Sequence, residues 1–251
     1  MKTIEVLNTP AEFAQLQERD LSRTVCVVFD VLRATSTMVT ALANGAAGIV
    51  PVAEIAEALA WRAKSAEVLL AGERDGVRIR AAQTGGVEFD LGNSPREFIR
   101  AIVAGKIIVT TTTNGTRALR ACVGAREILA GSFLNLSATL VRVRMLDAEN
   151  ILLIGSGTGE AEALEDTLAV GAAATQLETP TAKLSSAALR ARAIFSTHET
   201  DLLAAMPLAS NGARLLANTA LRDDVTVCLQ RDVFDLVARL DADGVVRCGG
   251  R

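Results

Sequence analysis

The sequence predicts an α/β fold: a mostly parallel sheet with helices on both faces, three layers deep. Three observations predict it. Short β-branched apolar runs alternate with longer helical patterns from residue 25 to about residue 180, and repeated strand–helix units joined by short loops build parallel sheets. The strand runs are apolar at nearly every position, as strands buried on both faces are. With 251 residues, 50% hydrophobic and 22% charged, the chain has an ordinary globular balance. No Pro/Ser-rich linker, repeat or low-complexity segment interrupts it. A single domain over 1–251 is expected, with only a weak boundary near residue 180 and room for a smaller C-terminal α/β part.

The elements follow in order. Val25–Phe29 reads as a buried strand, and 36–44 as a helix stopped by Gly45. Gly48–Val52 is a second strand, 53–64 an Ala-rich amphipathic helix, and Val68–Ala71 a third strand. A long polar loop, 72–93, leads to Ser94-Pro95, an N-cap with proline at N1, predicting a helix through Ala104. Strand Lys106–Thr110, helix 116–121, strand Glu127–Ala130, helix 135–146 and strand Ile151–Ile154 come next. Helical patterns resume at 162–177, 185–195 and 211–220. Val225–Leu229 reads as a strand, and Asp243-Gly244 as a hairpin turn.

Composition excludes several function classes. Lys plus Arg is 26 against 29 Asp plus Glu, a net charge of -3, with no Tyr and one Trp. A nucleic-acid partner normally shows a basic surplus and stacking aromatics, so none is expected. Cys26, Cys122, Cys228 and Cys248 are scattered and the chain has one His, His198, so reduced thiols are expected rather than a zinc site. Met1-Lys2-Thr3-Ile4-Glu5 lacks an apolar signal core, and no run approaches 18 apolar residues. A soluble cytoplasmic protein with no membrane partner is the expectation. The apolar fraction suits a homo-oligomer interface and a large monomer core equally.

In open parallel sheets ligands bind beyond the carboxyl ends of the strands. Asp30 through Thr37, with Arg33, Thr35 and Ser36, follows the first strand, and Gly72-Glu73-Arg74-Asp75 the third. Thr110 through Arg117 follows the fourth, Gly131-Ser132-Phe133-Leu134-Asn135 the fifth, and Gly155 through Glu160 the sixth. Any one such loop is ordinary turn and cap chemistry. Five together point to an anionic ligand held at helix N-termini. Thr111, Thr112, Thr113, Asn114, Gly115 and Thr116 suit a phosphate, with Arg117 as counter-charge. No G-x-x-x-x-G-K-[ST] is present, so a nucleoside triphosphate is not indicated.

Acids are the second ingredient. Asp30, Glu73, Asp90, Glu165 and Asp166 lie at or near these loops, and oxygen ligands without a His cluster favour Mg²⁺ over zinc. Asp30 closes a buried apolar strand, a costly place for a carboxylate without a cation. Glu165-Asp166 also fits a solvated helix face, and Asp90 a turn.

These blocks together resemble the 2-phosphosulfolactate phosphatase (ComB-like) family. The resemblance rests on Val27 through Thr37, Gly72-Glu73-Arg74, Phe89 through Pro95, Thr111 through Leu119, Gly131 through Asn135, Leu164-Glu165-Asp166 and Asp224–Cys228. It implies a Mg²⁺-dependent hydrolase that takes 2-phospho-3-sulfolactate to 3-sulfolactate and phosphate, on the route to coenzyme M, or acts on a related phosphorylated hydroxy acid. Such a substrate carries phosphate, carboxylate and sulfonate on three carbons, and Arg33, Arg74, Arg96 and Arg117 are candidate partners. Departures are the segment Arg80–Glu88, an apparent insertion, the loose loop Gly159 through Ala163, and Val233–Ala238, which lacks an expected Val-Pro pair.

Asp30, Arg33 and Asn114 are the expected catalytic residues. Substrate contacts are expected from Thr35, Ser36, Asn93, the Thr111–Arg117 run, Ser132 and Asn135, and metal ligation from Asp30, Glu73, Asp90, Glu165 and Asp166. Asp30 could act as a nucleophile forming an aspartyl phosphate, or as a Mg²⁺ ligand while water attacks in line. Leu32 stands where D-x-D-x-T would need its second acid, which favours the ligand role. Two readings from other classes stay open: an adenosylmethionine- or nucleotide-dependent enzyme using Gly155–Gly159, and a non-catalytic anion binder.

Overall fold

A computed structural model describes residues 2–249; Met1, Gly250 and Arg251 lie outside the described residues. The order is β1 (Thr3–Leu7), α1 (Pro10–Ala14), β2 (Thr24–Phe29), α2 (Ala34–Ala43), β3 (Gly48–Pro51), α3 (Ile55–Lys64), β4 (Leu69–Arg74), β5 (Val77–Arg78) and α4 (Ala81–Thr84). Then come α5 (Arg100–Val103), β6 (Ile107–Thr111), α6 (Gly115–Ala121), β7 (Glu127–Gly131), α7 (Leu136–Met145), β8 (Asn150–Gly155), α8 (Leu164–Leu177) and β9 (Lys183–Leu184). The chain ends with α9 (Ser186–His198), α10 (Leu202–Ala205), α11 (Ser210–Ala217), α12 (Arg222–Cys228), β10 (Val237–Leu240) and β11 (Val246–Gly249).

The strands form one sheet in the order β5-β4-β6-β3-β11-β10-β7-β2-β8-β1-β9. Two parallel blocks, β4-β6-β3 and β7-β2-β8-β1-β9, are joined by the antiparallel hairpin β10–β11. The mostly parallel α/β architecture read from the sequence is thus present, and the turn at Asp243-Gly244 closes this central hairpin, with Gly244 at φ +79. Each of the three antiparallel steps from β7 to β3 reverses direction, so the two blocks run opposite ways.

Opposed blocks in a flat sheet would place their carboxyl ends on opposite edges. Five strand spacings would also separate β2 from β6 by about 24 Å. Yet Gly115, four residues beyond β6, packs directly on the Asp30 carboxylate that follows β2. The sheet is therefore strongly curled, as accumulated strand twist allows. One core cluster shows what fills the curl: Cys26, Val28 and Ile128 of one block and Ile49, Ala71 and Ile108 of the other all pack with Met38 and Val39 of α2 and Ala118 and Leu119 of α6. Along β2 the alternate residues Val25, Val27 and Phe29 face the opposite layer of α7, α8 and α9, the period of two expected of a strand buried on both faces.

Four expectations about elements need correction. Val225–Leu229 is not a strand but lies mostly in α12, where buried Asp224 in the first turn accepts from Arg33 and Arg96; tertiary contacts override the preference of a β-branched run. The helix expected from Ser94 to Ala104 is a single 3₁₀ turn at Pro95–Glu97 followed by the short α5. Ser94 donates its hydroxyl to Asp224 instead of capping. The loop 72–93 carries the end of β4, β5 and α4, and residues 80–88 are tied by an Arg80–Glu88 ion pair. β1, unassigned in the sequence, pairs with β8 and β9. Among the described residues no helix is long and apolar enough to cross a membrane.

Candidate active site

Asp30 sits one residue past β2 and is 8% exposed. The loop around it is set by its own hydroxyl residues. Thr35 Oγ1 accepts from the Asp30 N–H and donates to the Asp30 carbonyl, both at 3.0 Å, and Ser36 Oγ donates to the Val31 carbonyl. The turn aims the Asp30 carboxylate at the starts of two helices. The Ala34 N–H of α2 donates to Oδ1 at 2.9 Å, and the Gly115 N–H of α6 also donates to the carboxylate. An added Cβ at Gly115 would lie 2.7 Å from Asp30 Oδ2 and from the Ala34 methyl, so only glycine allows this approach.

Three more buried acids surround Asp30. Asp166, in the first turn of α8, accepts from the Val31 N–H at 2.8 Å and the Gly157 N–H at 3.2 Å. Glu165 beside it accepts from Asn211 Nδ2 at 2.9 Å. Glu73, at the end of β4, accepts from the Gly76 N–H and from the Thr113 N–H and hydroxyl. Burial, reinforced by the charges of Glu73 and Glu165, pushes the Asp30 carboxyl up to about 6, with the Ala34 and Gly115 N–H groups partly offsetting it. Burial, then Asp30 and Glu165, likewise holds Asp166 well above the usual carboxylate range. Burial also raises Glu165, against the opposing effects of Asn211 and Arg214.

A cavity of about 340 Å³ opens over this cluster. Asp30, Arg33, Glu73 and Asn114 line it together with Thr158, Asn211 and Arg214. Arg33 is held from behind: Nη1 donates to Asp224 at 2.7 Å and Nη2 to the Gly76 carbonyl at 2.7 Å. Asp224, fully buried, also accepts from Ser94 Oγ and Arg96 Nε, so its charge is completely partnered. Asn114 Oδ1 and Glu165 Oε2 are buried with no hydrogen-bond partner among the described residues. Among the described residues no three His, Cys, Asp or Glu side chains converge as a ready metal cage.

The structure thus brings Asp30, Arg33, Glu73, Asn93, Thr112, Thr113 and Asn114 to one cavity, with Glu165 and Asp166 directly behind it. Other expected residues serve elsewhere. Thr35 and Ser36 brace the Asp30 loop. Thr111 donates its hydroxyl to the Ala53 carbonyl, and Thr116 to the Thr112 carbonyl. Arg117 is exposed beside Pro10 and Phe13, away from the cavity. Asn135 accepts from the Ser132 N–H and hydroxyl and ties the end of β7. Asp90 pairs with Arg62 and accepts from the Leu70 N–H, outside the cavity lining. The sequence reading named Asp224 only within the resemblance and gave it no role, and it named neither Asn211 nor Arg214. Asp224 carried a usable signal, an acid abutting an apolar run, which is the argument that singled out Asp30.

The Gly155–Gly159 loop folds on the acids. The Gly157 N–H is spent on Asp166, and Thr158 pairs with Ala161 in an isolated bridge. This leaves Thr158 and Gly159 as a wall of the cavity.

Comparison with known proteins shows the family. A family profile described as 2-phosphosulpholactate phosphatase matches residues 11–243. A protein of Thermotoga petrophila named probable 2-phosphosulfolactate phosphatase is 40% identical over 214 residues, 85% of this chain and 88% of that protein. Proteins of the same name from Caldanaerobacter subterraneus and Gloeobacter violaceus are 35% and 37% identical, covering 96% and 88% of this chain and 97% and 89% of their own length. With the match running through the Asp30 loop, the Thr111–Arg117 segment and the Glu165-Asp166 pair alike, this chain belongs to the 2-phosphosulfolactate phosphatase family.

Proposed function

We propose that this protein is a Mg²⁺-dependent phosphatase that hydrolyses 2-phospho-3-sulfolactate, or a closely related phosphorylated hydroxy acid, to the hydroxy acid and phosphate in a coenzyme M type pathway of the cytoplasm. The observation that carries the reading is the buried Asp30 carboxylate on the cavity side, with Arg33 and Asn114 beside it and three further acids around it. A cluster of buried acids with oxygen donors and no His is suited to a hard divalent cation. Mg²⁺ is commonly held by one or two carboxylates together with substrate phosphate, so the lack of a three-acid cage does not count against it. The unpartnered oxygens of Asn114 and Glu165 add to that donor set.

Asp30 and Glu73 would hold the ion, with Glu165 and Asp166 supporting from behind and Asp90 outside the set. When bound, Mg²⁺ neutralises phosphoryl charge and orients the reacting oxygens. Arg33 faces the same volume with its guanidinium fixed by Asp224, so it meets the phosphoryl oxygens without first losing rotamer freedom. Thr112, Thr113 and Asn114 border the phosphoryl site at the mouth of β6. The substrate is a small anion, consistent with the modest cavity; nucleic acid and membrane have no part in this reading.

The test is phosphate release from 2-phospho-3-sulfolactate with Mg²⁺ and with EDTA, for wild type and Asp30→Asn. Wild-type release that needs Mg²⁺, and a loss on the order of 10³-fold or more in Asp30→Asn, is the expected result. Unchanged turnover in EDTA would remove the metal from the reading. Unchanged turnover in Asp30→Asn would remove the acid.

A further inference from the structure

Ser210, Asn211 and Arg214 of α11 line part of the same cavity as Asp30. Arg214 projects from α11 into the cavity, and among the described residues its guanidinium has no carboxylate within salt-bridge distance, unlike Arg33. Among the described residues its guanidinium makes one hydrogen bond, Nη2 donating to Asn211 Oδ1 at 2.9 Å. Asn211 in turn donates Nδ2 to Glu165 Oε1 at 2.9 Å and to Thr158 Oγ1 at 2.6 Å. The amide is therefore fixed between the acid cluster and the arginine. Nη1 approaches the Asp75–Gly76 turn so closely that a Cβ on Gly76 would sit 2.8 Å from it. The Gly76 carbonyl receives Arg33 Nη2 at 2.7 Å. Two guanidiniums thus meet one turn: Arg33, three residues from Asp30 and held by Asp224, and Arg214, held only by a neutral amide.

We propose that Arg214 is the specificity residue of the site and binds the distal, non-transferred acid group of the substrate, oriented by Asn211. This rests on the phosphatase reading above. In a 2-phosphorylated three-carbon acid the carboxylate shares a carbon with the phosphate ester, while the sulfonate lies one carbon further. Arg33, three residues from Asp30 and paired with Asp224, serves the reacting end, and the guanidinium of Arg214, in the same cavity and with no carboxylate partner among the described residues, is left for the far end. A guanidinium fork matches two oxygens of a sulfonate or of a carboxylate. Arg214 accordingly reads a distal oxyanion of either kind.

The test compares kcat and KM for three esters: 2-phospho-3-sulfolactate with its distal sulfonate, 2-phosphomalate with a distal carboxylate, and 2-phospholactate with no distal charge. Wild type should prefer the first two. Arg214→Gln should lose about 10- to 100-fold in kcat/KM on both, mostly through KM, and less than about 3-fold on 2-phospholactate. Protection against thermal unfolding by 3-sulfolactate should vanish in the variant, while protection by inorganic phosphate stays. Arg214 is exposed, so the variant should fold; if it does not, Arg214→Lys, which keeps charge but not the fork, should show the same loss of preference in smaller measure. A parallel loss on all three esters, or an intact preference, overturns the assignment of Arg214 alone. No phosphate release by wild type from any ester overturns the phosphatase reading, and this inference with it.

Discussion

Two helices of this protein open on the same pattern, a hydroxyl residue followed by Asn-Gly-x-Arg, and use it differently. Thr113 through Arg117 begins α6, and Ser210 through Arg214 begins α11. In α6 Asn114 is the N-cap and Gly115 the first helical residue; in α11 Ala209 is the N-cap and the asparagine is the second helical residue. A shift of two residues turns the pattern through about 200° around the helix. Gly115 therefore lies flush against Asp30, whereas Gly212 lies against the Met206 carbonyl. Arg117 points to solvent, whereas Arg214 lines the cavity. Asn114 keeps an unpartnered oxygen, whereas Asn211 is bonded at both ends. Residue type sets what each position is able to do, and the register of the helix start decides which of them does it.

The glycines break or sharpen that comparison most strongly. Gly115→Ala pushes a methyl against the Asp30 carboxylate and should lower kcat/KM about 100-fold or more, with a stability loss of roughly 1–3 kcal/mol. Gly212→Ala meets the Met206 carbonyl at 2.4 Å and should lose comparable stability while the folded enzyme keeps kcat within about 3-fold. Chemical denaturation alongside kinetics separates the two. Wild-type activity in Gly115→Ala would dissolve the distinction.

A middle-sized effect concerns the acid on which Gly115 rests. A carboxyl raised to about 6 in the folded protein, from 3.8 when unfolded, binds more protons folded than unfolded between those values. Stability then falls as pH rises from about 4 to about 6 and stays lowered above that. In EDTA, Asp30→Asn should be more stable than wild type at pH 8, by roughly 2–3 kcal/mol, and the gap should close toward pH 4. Thermal unfolding across pH reads this directly. A gap that widens on acidification would mean that Asp30 is stabilised as a carboxylate.

Smallest of all is Arg117→Ala. Its side chain is exposed and outside the cavity, so stability should change by no more than about 0.5 kcal/mol and kcat/KM by less than about 2-fold. A loss as large as that expected of Arg214→Gln would place both arginines in the site and erase the difference between the helices.

The strands were legible because of their setting. Val25–Phe29, Lys106–Thr110 and Ile151–Ile154 are buried on both faces, so their apolar runs carry the signal unaided. Thr3–Leu7 carries Glu5, half-buried in an ion pair with Arg19, and such a polar-interrupted run is quieter. Of the site, Asp30, Glu73, Asn114 and the Glu165-Asp166 pair were legible as polar residues following or abutting apolar elements. Asp224 carried the same signal, an acid abutting an apolar run, although its partner Arg33 lies 191 residues away; Asn211 and Arg214 carried none, because their meaning lies in partners 46 and 3 residues away.

What the sequence determined by itself is the layering, the buried strands and the stock of acids, hydroxyls and amides placed after them, since these follow from local period and from the cost of burying charge. The tertiary structure alone decided which strand ends meet. The hairpin β10–β11 enters between two parallel blocks and reverses one of them, and the curl of the sheet then brings the end of β6 back to the end of β2 at Asp30. Pairing between residues more than a hundred positions apart sets that closure, and no local pattern encodes it.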